Sequence, residues 1–338
     1  TPVYDRAQVM YHAIDLIMER KEELGTLLMT EMGKPITQSR KEAVDAAVIA
    51  RSFTEKACHM YGDVLPTDNQ PGGQNDIIFT KREPLGVIGC IIPFNYPVKM
   101  FVHKVIPALL TGNAVIVKAP TNNPLTLMRL TEILNKAGLP EGLLKCVACE
   151  RDVCNKWLVE NDQVNGISLT GSTAAGINMQ KRSAETLKHV FLELGGNDAT
   201  IVREDADLDY AVKEITAGRM VNAGQTCCAC KRILVHTAVY DTFVEKLTKA
   251  ISEVKTGDPA AEDTLVGCLV SEKAARKVKE QIDLTVSQGA EIAIGGQQKG
   301  AVLMPTVIKN VTPDMEVLLL LTGRAITVIQ NRALVVSR

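Results

Sequence analysis

Three closely spaced cysteines, Cys227, Cys228 and Cys230, follow the run Ala223-Gly224-Gln225-Thr226. A glycine just upstream lets the backbone turn tightly and present a thiol at a loop edge. A polar, partly exposed setting there favours the thiolate, the form that acts as nucleophile. The competing reading is a set of small buried hydrophobes. A zinc site is the weakest reading, because Cys-Cys-x-Cys lacks the spacer and the second ligand pair that zinc sites use, and no metal is expected. Upstream, Glu193 stands in the apolar run Phe191-Leu192-Glu193-Leu194, ahead of Gly195-Gly196-Asn197. Burial in such a run would raise its pKa toward the range of a general base; a strand-end carboxylate paired with a surface cation is the alternative. Asn95 lies in the proline-bracketed loop Ile92-Pro93-Phe94-Asn95-Tyr96-Pro97. A rigid loop can aim its amide N–H at a developing oxyanion, although Asn in a loop also satisfies local backbone.

Two further features suit an anionic ligand. Lys118 closes the run Ala114–Lys118, and the C-terminal ends of parallel strands are where open α/β sheets bind ligands; a solvated surface lysine is the ordinary case. Gly171-Ser172-Thr173-Ala174-Ala175-Gly176 links another strand to a helix. Such a turn offers free N–H groups and a helix dipole to a phosphate, yet it is not G-x-G-x-x-G and also reads as an ordinary capped turn.

The elements that must hold these residues are legible from periodicity. A helix is predicted from Asp5 to about Lys34, broken at Met32-Gly33-Lys34-Pro35, and another over Lys41–Tyr61. The turn-rich segment Pro66–Gly73 follows. β-branched runs then come at Gly86–Ile92, Ala114–Lys118, Leu144–Ala148, Gly166–Thr170, His189–Leu194 and Ala199–Val202. Helical patterns lie at Val98–Leu110, Pro124–Ala137, Ala174–Arg182 and Asp207–Met220. Alternating strands and helices with near-continuous apolar strands mark a parallel sheet covered on both faces. A second αβ region reads as strand Ile233–Val235, helices Tyr240–Val254 and Glu272–Gln288, and strand Glu291–Ile294.

Composition narrows the function classes. The 338 residues carry 38 Lys+Arg against 39 Asp+Glu, so charge offers no argument for a nucleic-acid or membrane-surface partner. Aromatics at 4% disfavour binding by stacked rings, and 46% hydrophobic with 23% charged residues excludes a disordered chain. No run of about 18 apolar residues exists to cross a membrane, and no secretory leader is visible. Nine irregularly spaced cysteines argue against a disulfide framework and for a reducing, cytoplasmic compartment.

In this order, the motifs make the chain resemble the aldehyde dehydrogenase superfamily, from about Thr1 to Val317. The most specific parts are Glu193-Leu194-Gly195-Gly196 and Gly224-Gln225-Thr226-Cys227, with Cys227 34 positions after Glu193. The resemblance implies NAD(P)-dependent oxidation of a small aldehyde to the acid through a thiohemiacetal and a thioester on Cys227. Asn95 and the Cys227 N–H would hold the oxyanion, Glu193 would activate the hydrolytic water, and Lys104 would lie near this proton-handling region. Glu193 favours hydrolysis over transfer of the acyl group to coenzyme A. For NAD or NADP, Lys118 matches the lysine that contacts the adenosine ribose or a 2′-phosphate, and Gly171, Ser172 and Gly176 match the pyrophosphate-side turn. Thr121 stands where many NAD-specific members carry a glutamate, which permits NADP. Cys228 and Cys230 are expected to pack near the substrate funnel.

The implied fold is α/β: a Rossmann-like cofactor domain (residues 1–73 and 85–194), a hairpin segment bridging subunits (74–84) and a smaller α/β catalytic domain (195–317). An intact member would be a homodimer or homotetramer. After Met315-Glu316-Val317 the pattern departs: Leu321 falls where the family has a ribose-binding glutamate, and Gly323 where it has a phenylalanine behind the nicotinamide. Ile326–Ile329 matches the strand that follows in relatives. Residues 318–338 hold three Arg and no Asp or Glu. Relatives are longer, so the catalytic domain is expected to be incomplete and the tail aberrant; a truncated, inactive remnant that binds dinucleotide or joins intact subunits is the alternative.

Overall fold

In the computed structural model, which describes residues 1–312, 315 and 326–331, helical spacing near the N-terminus becomes three helices: α1 (Val3–Glu19), α2 (Lys21–Met32) and α3 (Ile36–Ala57). The single helix expected from Asp5 to Lys34 is interrupted at Arg20, whose φ of −104° and ψ of 17° end α1. Glu19-Arg20-Lys21-Glu22-Glu23 offers five charged side chains and nothing apolar to hold that turn against a core. Gly33, at φ 70°, and Pro35 end α2. The chain divides into two compact units. One holds Thr1–Glu22, Glu42–Pro93 and Pro97–Glu193; the other holds Glu23–Lys41, Phe94–Tyr96 and the described residues from Leu194 onward.

The first unit is built on a five-stranded parallel sheet. Val64–Leu65 (β1) and Ile78–Phe79 (β2) precede it as a short antiparallel pair, all four side chains exposed. The sheet comprises β3 (Val87–Ile91), β4 (Ala114–Lys118), β5 (Leu144–Val147), β6 (Gly166–Thr170) and β7 (His189–Glu193), in the order β5-β4-β3-β6-β7. Helices α4 (Pro97–Leu110), α5 (Leu125–Lys136), α6 (Arg151–Cys154) and α7 (Thr173–Ser183) connect successive strands. The strand order grows one way from β3 through β4 to β5, then restarts on the other side of β3 with β6 and β7. That reversal beside β3 is the switch point at which doubly wound sheets open a crevice at their carboxyl ends. In β3 the middle residues Ile88, Gly89 and Cys90 are buried, as a strand covered on both faces requires. Helix α4 is fixed by Glu42, only 1% exposed, whose Oε1 accepts from the N–H groups of Val98 (2.9 Å) and Lys99 (3.2 Å). A carboxylate at a helix N-terminus satisfies orphan donors and meets the positive dipole end.

In the second unit, β8 (Ala199–Val202), α8 (Leu208–Met220), β9 (Arg232–His236), α9 (Tyr240–Ser252), α10 (Glu272–Ser287) and β10 (Glu291–Ile294) follow in turn. A two-residue pair, β11 (Gln298–Lys299) with β12 (Val302–Leu303), leads to β13 (Val307–Lys309) and β14 (Ile326–Asn331). The sheet order is β10-β13-β14-β9-β8, parallel except for β10. The expected strand beginning at Ile326 is therefore present, inserted between β13 and β9 with Thr327 opposite Arg232. Tyr240, Phe243, Leu247 and Ile251 bury one stripe of α9 in the core with Ile233 and Val235 of β9. Asp207 caps α8 and Ser271 caps α10. The positions of Leu321 and Gly323 lie outside the described residues.

Candidate active site

Helix α8 ends in an unusual way. Asn222, Ala223 and Gly224 adopt φ of 51°, 52° and 71°, three successive left-handed residues. Only Gly224 is free of the Cβ penalty there, and an alanine in this region costs about 1–2 kcal/mol. The turn reverses the chain so that Cys227 and Cys228 are exposed, while Ala229 is buried and Cys230 half-buried. The Cys230 thiol lies 2.8 Å from Thr200 Oγ1, and burial raises its pKa, so this cysteine packs. Burial and the neighbouring Cys227 raise Cys228.

Several side chains of the same unit hold this loop. Asn95 Nδ2 donates to Gln225 O at 2.9 Å. Because a carbonyl can only accept, the carboxamide orientation follows from the chemistry. Asn222 Nδ2 (2.9 Å) and Lys34 Nζ (3.1 Å) both donate to Asn95 O. Lys34 is 1% exposed, and its ammonium sits 3.6 Å from the centre of the Tyr96 ring, a cation–π contact that helps to hold a desolvated charge. Thr226 Oγ1 and Tyr96 Oη are 3.3 Å apart. Gln225, also buried, donates to Asn222 O (3.1 Å) and accepts from Val270 N (3.0 Å). Beyond the cysteines, Lys231 donates to the carbonyls of Gly196 and Cys227, and Arg232 donates through Nε and Nη2 to Asn197 O.

Glu193, Lys104 and the anion-binding candidates belong to the first unit. Glu193 ends β7, and its side chain is exposed, not buried as the apolar run suggests. β7 is an edge strand with alternating exposure: Val190 and Leu192 face the cluster around Leu158 and Ile167, while His189, Phe191 and Glu193 share the open face. Lys104, on α4, is 7% exposed. Burial lowers its pKa, opposed by Cys90 and Glu193. His103 is likewise lowered by burial and by Lys104, with Glu193 opposing. The Cys90 thiol between sheet and helix is pushed up to about 12 by burial, so it stays protonated. Glu193 and Lys104 are thus within electrostatic reach of one another.

At the switch point, Lys118 ends β4 on one side of β3 and Gly171 follows β6 on the other. Gly171 N donates to Glu193 O (3.0 Å). Ser172 is the N-cap of α7, its Oγ accepting from Ala175 N at 3.2 Å, and Gly176 N donates to Ser172 O at 3.0 Å. The Ser172 hydroxyl is therefore used by the helix itself. Of the first-turn amides, those of Thr173 and Ala174 keep no partner among the described residues, and the positive dipole end lies with them. Thr121 is exposed in the loop after Lys118. A lysine on one side of the crevice and a capped helix N-terminus on the other are donors that suit an anionic ligand there. Among the described residues no group of three His, Cys, Asp or Glu could hold a metal, and no helix is long and apolar enough to cross a membrane.

Sequence reasoning singled out neither Lys34 nor Lys231. Gly33-Lys34-Pro35 reads only as a helix stop, and Lys231 only as a polar residue ahead of a strand.

Comparison with known proteins shows the family and the fold. Residues 1–319 match the family model described as the aldehyde dehydrogenase family. The 3-sulfolactaldehyde dehydrogenase of Priestia aryabhattai is 39% identical over 314 residues, 93% of this chain and 65% of that protein. The mitochondrial succinate-semialdehyde dehydrogenase of Arabidopsis thaliana is 37% identical over 314 residues, 92% of this chain and 59% of that protein. The chain thus spans less than two thirds of the length of these relatives. Among solved structures, an NADP-dependent enzyme of E. coli superposes with a TM-score of 0.93 at 33% identity, covering 98% of this chain and 69% of that one.

Proposed function

The chain belongs to the aldehyde dehydrogenase family, and from that premise we propose that it oxidises a small aldehyde to the carboxylic acid with NAD or NADP, using Cys227 as nucleophile. The observation that carries this reading is the exposed Cys227 on a loop of three left-handed residues, with the Asn95 carboxamide tied to the backbone two residues before it. The substrate class is an aldehyde that also bears an acidic group, the class named for both curated relatives.

In this reading the Cys227 thiolate attacks the aldehyde carbon and the carbonyl oxygen becomes an oxyanion. Asn95 Nδ2 carries two hydrogens: one goes to Gln225 O and sets the plane of the amide, and the other is available to the oxyanion together with the Cys227 N–H. The dinucleotide, when bound, supplies a hydride acceptor. Lys118 would contact its adenosine ribose or a 2′-phosphate, the turn at the N-terminus of α7 would hold its pyrophosphate, and the lack of a carboxylate at Thr121 leaves room for a 2′-phosphate without repulsion. Once the hemiacetal carbon has lost its hydride, Cys227 carries a thioester. Glu193 then takes a proton from water, the hydroxide adds to the thioester carbon, and the acid leaves as the thiolate is restored. Lys104, in the field of Glu193, would stabilise that carboxylate between proton transfers.

The same reading includes self-association into a dimer or tetramer, supported by the exposed apolar β1–β2 pair and its neighbour Ile77. It also includes a cytoplasmic location, supported by nine unpaired cysteines. The test of the chemistry is NAD(P)H absorbance with succinate semialdehyde and related aldehydes. Cys227→Ser is expected to abolish NAD(P)H formation, and a variant that retains turnover would overturn the assignment.

A further inference from the structure

Lys231 is 6% exposed, an uncommon place for an ammonium group unless its charge is met by partners. Those partners are two main-chain carbonyls, Gly196 O and Cys227 O, from segments more than thirty residues apart in sequence. Two oxygens accepting from one nitrogen lie within about 5–6 Å of each other, with their negative ends converging. Without a cation between them they would repel. The backbones are also in direct contact, since a Cβ at Gly196 would come within 2.9 Å of Cys227 O. The lysine's own main chain is anchored, with the N–H groups of Lys231 and Arg232 both donating to Asp198 O at 3.1 Å. The ammonium therefore projects from the rigid start of β9.

We infer that Lys231 is a positioning residue that clamps the Cys227 main chain against Gly196 and thereby sets the direction of the Cys227 thiol. This rests on the reading of Cys227 as nucleophile. The loop is pinned upstream of the thiol, where Asn95 holds Gln225 O, and at the cysteine itself by Lys231. With both pins in place, the Gln225–Thr226 and Cys227–Cys228 peptide planes are fixed, one residue before the cysteine and directly after it. The charged groups around the ammonium are Arg219 and Asp198, with the Cys227 and Cys228 thiols. Burial and Arg219 lower its pKa, while Asp198 and the two sulfurs oppose the shift.

The test compares the unaltered chain with Lys231→Met, which keeps the apolar stem, and Lys231→Arg, which keeps the donor charge. Two readouts are used: steady-state oxidation of succinate semialdehyde, and the rate at which iodoacetamide alkylates Cys227, followed by peptide mass spectrometry. Loss of a hydrogen-bonding charge at this position is expected to lower kcat about 10- to 100-fold. KM should stay within about twofold, and alkylation should slow by a similar factor to kcat. Lys231→Arg is expected to recover most of both losses, which a merely space-filling role would not produce. If Lys231→Met does not fold, Lys231→Gln is read in the same two assays, with an intermediate loss expected. Unchanged kcat and unchanged alkylation in a folded Lys231→Met protein would overturn the inference. Slowed alkylation in a chain that oxidises no aldehyde would uphold the clamp and overturn the proposed function instead.

Discussion

Gly196→Ala tests the architecture beneath the thiol most directly. The φ of Gly196 lies outside the left-handed region, so its backbone accepts alanine without strain and the added methyl group acts through contact alone. That methyl would sit 2.9 Å from Cys227 O and 3.0 Å from Asp198 Oδ1, against about 3.4 Å for an ordinary contact. Asp198 is exposed and can rotate away. Cys227 O cannot, because it is a main-chain atom held by Lys231. Relief therefore requires the two backbones to part by roughly half an ångström. Overpacking of this kind costs about 1–3 kcal/mol, and the reduced freedom of the unfolded chain on changing Gly to Ala returns about 0.4–1 kcal/mol. The net expectation is a loss of about 1 kcal/mol, seen as a fall of a few degrees in the thermal midpoint. Catalysis should suffer more than stability: a 1 Å displacement of a reacting group can cost about 100-fold, so half of that predicts a drop in kcat of about tenfold with little change in KM. Initial rates of NAD(P)H formation alongside thermal melts measure both. A Gly196→Ala protein with wild-type kcat and midpoint would refute the close packing of Gly196 on Cys227 as a determinant of the site.

Two other substitutions separate the remaining roles. Glu193→Gln removes the proton acceptor but not the thiol, so rapid mixing should give a burst of about one NAD(P)H per site followed by steady-state turnover reduced by at least about 100-fold. Undiminished steady-state turnover would remove Glu193 from the mechanism. Thr121→Glu places a carboxylate in the exposed loop beyond Lys118, and its repulsion of a 2′-phosphate is expected to shift the kcat/KM ratio of NADP to NAD at least about tenfold toward NAD; an unchanged ratio would place the 2′-phosphate elsewhere.

Much of this arrangement is legible from one sequence because it rests on local signals. β-branched runs bounded by turn residues locate β3, β4, β6 and β9 within a residue or two, since a strand covered on both faces must be apolar along its whole length. The exposed Cys227 follows from the glycine that precedes it, and Lys118 from its place at a strand end. The break at Arg20 is not local in this sense. Its charged residues are all good helix formers, so local propensity carries the helix straight through the break. Glu193 misleads for a related reason. An apolar run implies burial only if both faces of the strand are covered, and nothing in the run announces that β7 is the edge of its sheet.

The lysines show where local reading stops. Lys34 and Lys231 look like any surface lysine, since a lysine is buried by its neighbours in space and not by its neighbours in sequence. What they have in common is the partner: each donates to a main-chain carbonyl of a loop that carries a candidate catalytic group, Lys34 to Asn95 and Lys231 to Cys227. A side-chain partner could rotate away or be replaced independently of the chain path, whereas a main-chain carbonyl fixes the path itself. Arg219 and Arg232 repeat the device on Gly224 and Asn197. Three of these cations thus cap carbonyls on the segments that carry Asn95 and Cys227, Arg219 doing so at the last of the three left-handed residues, while Arg232 caps the neighbouring Gly196-Asn197 segment. Desolvating those charges is costly, and a cost of that kind is sustained where the position of a backbone matters more than its stability.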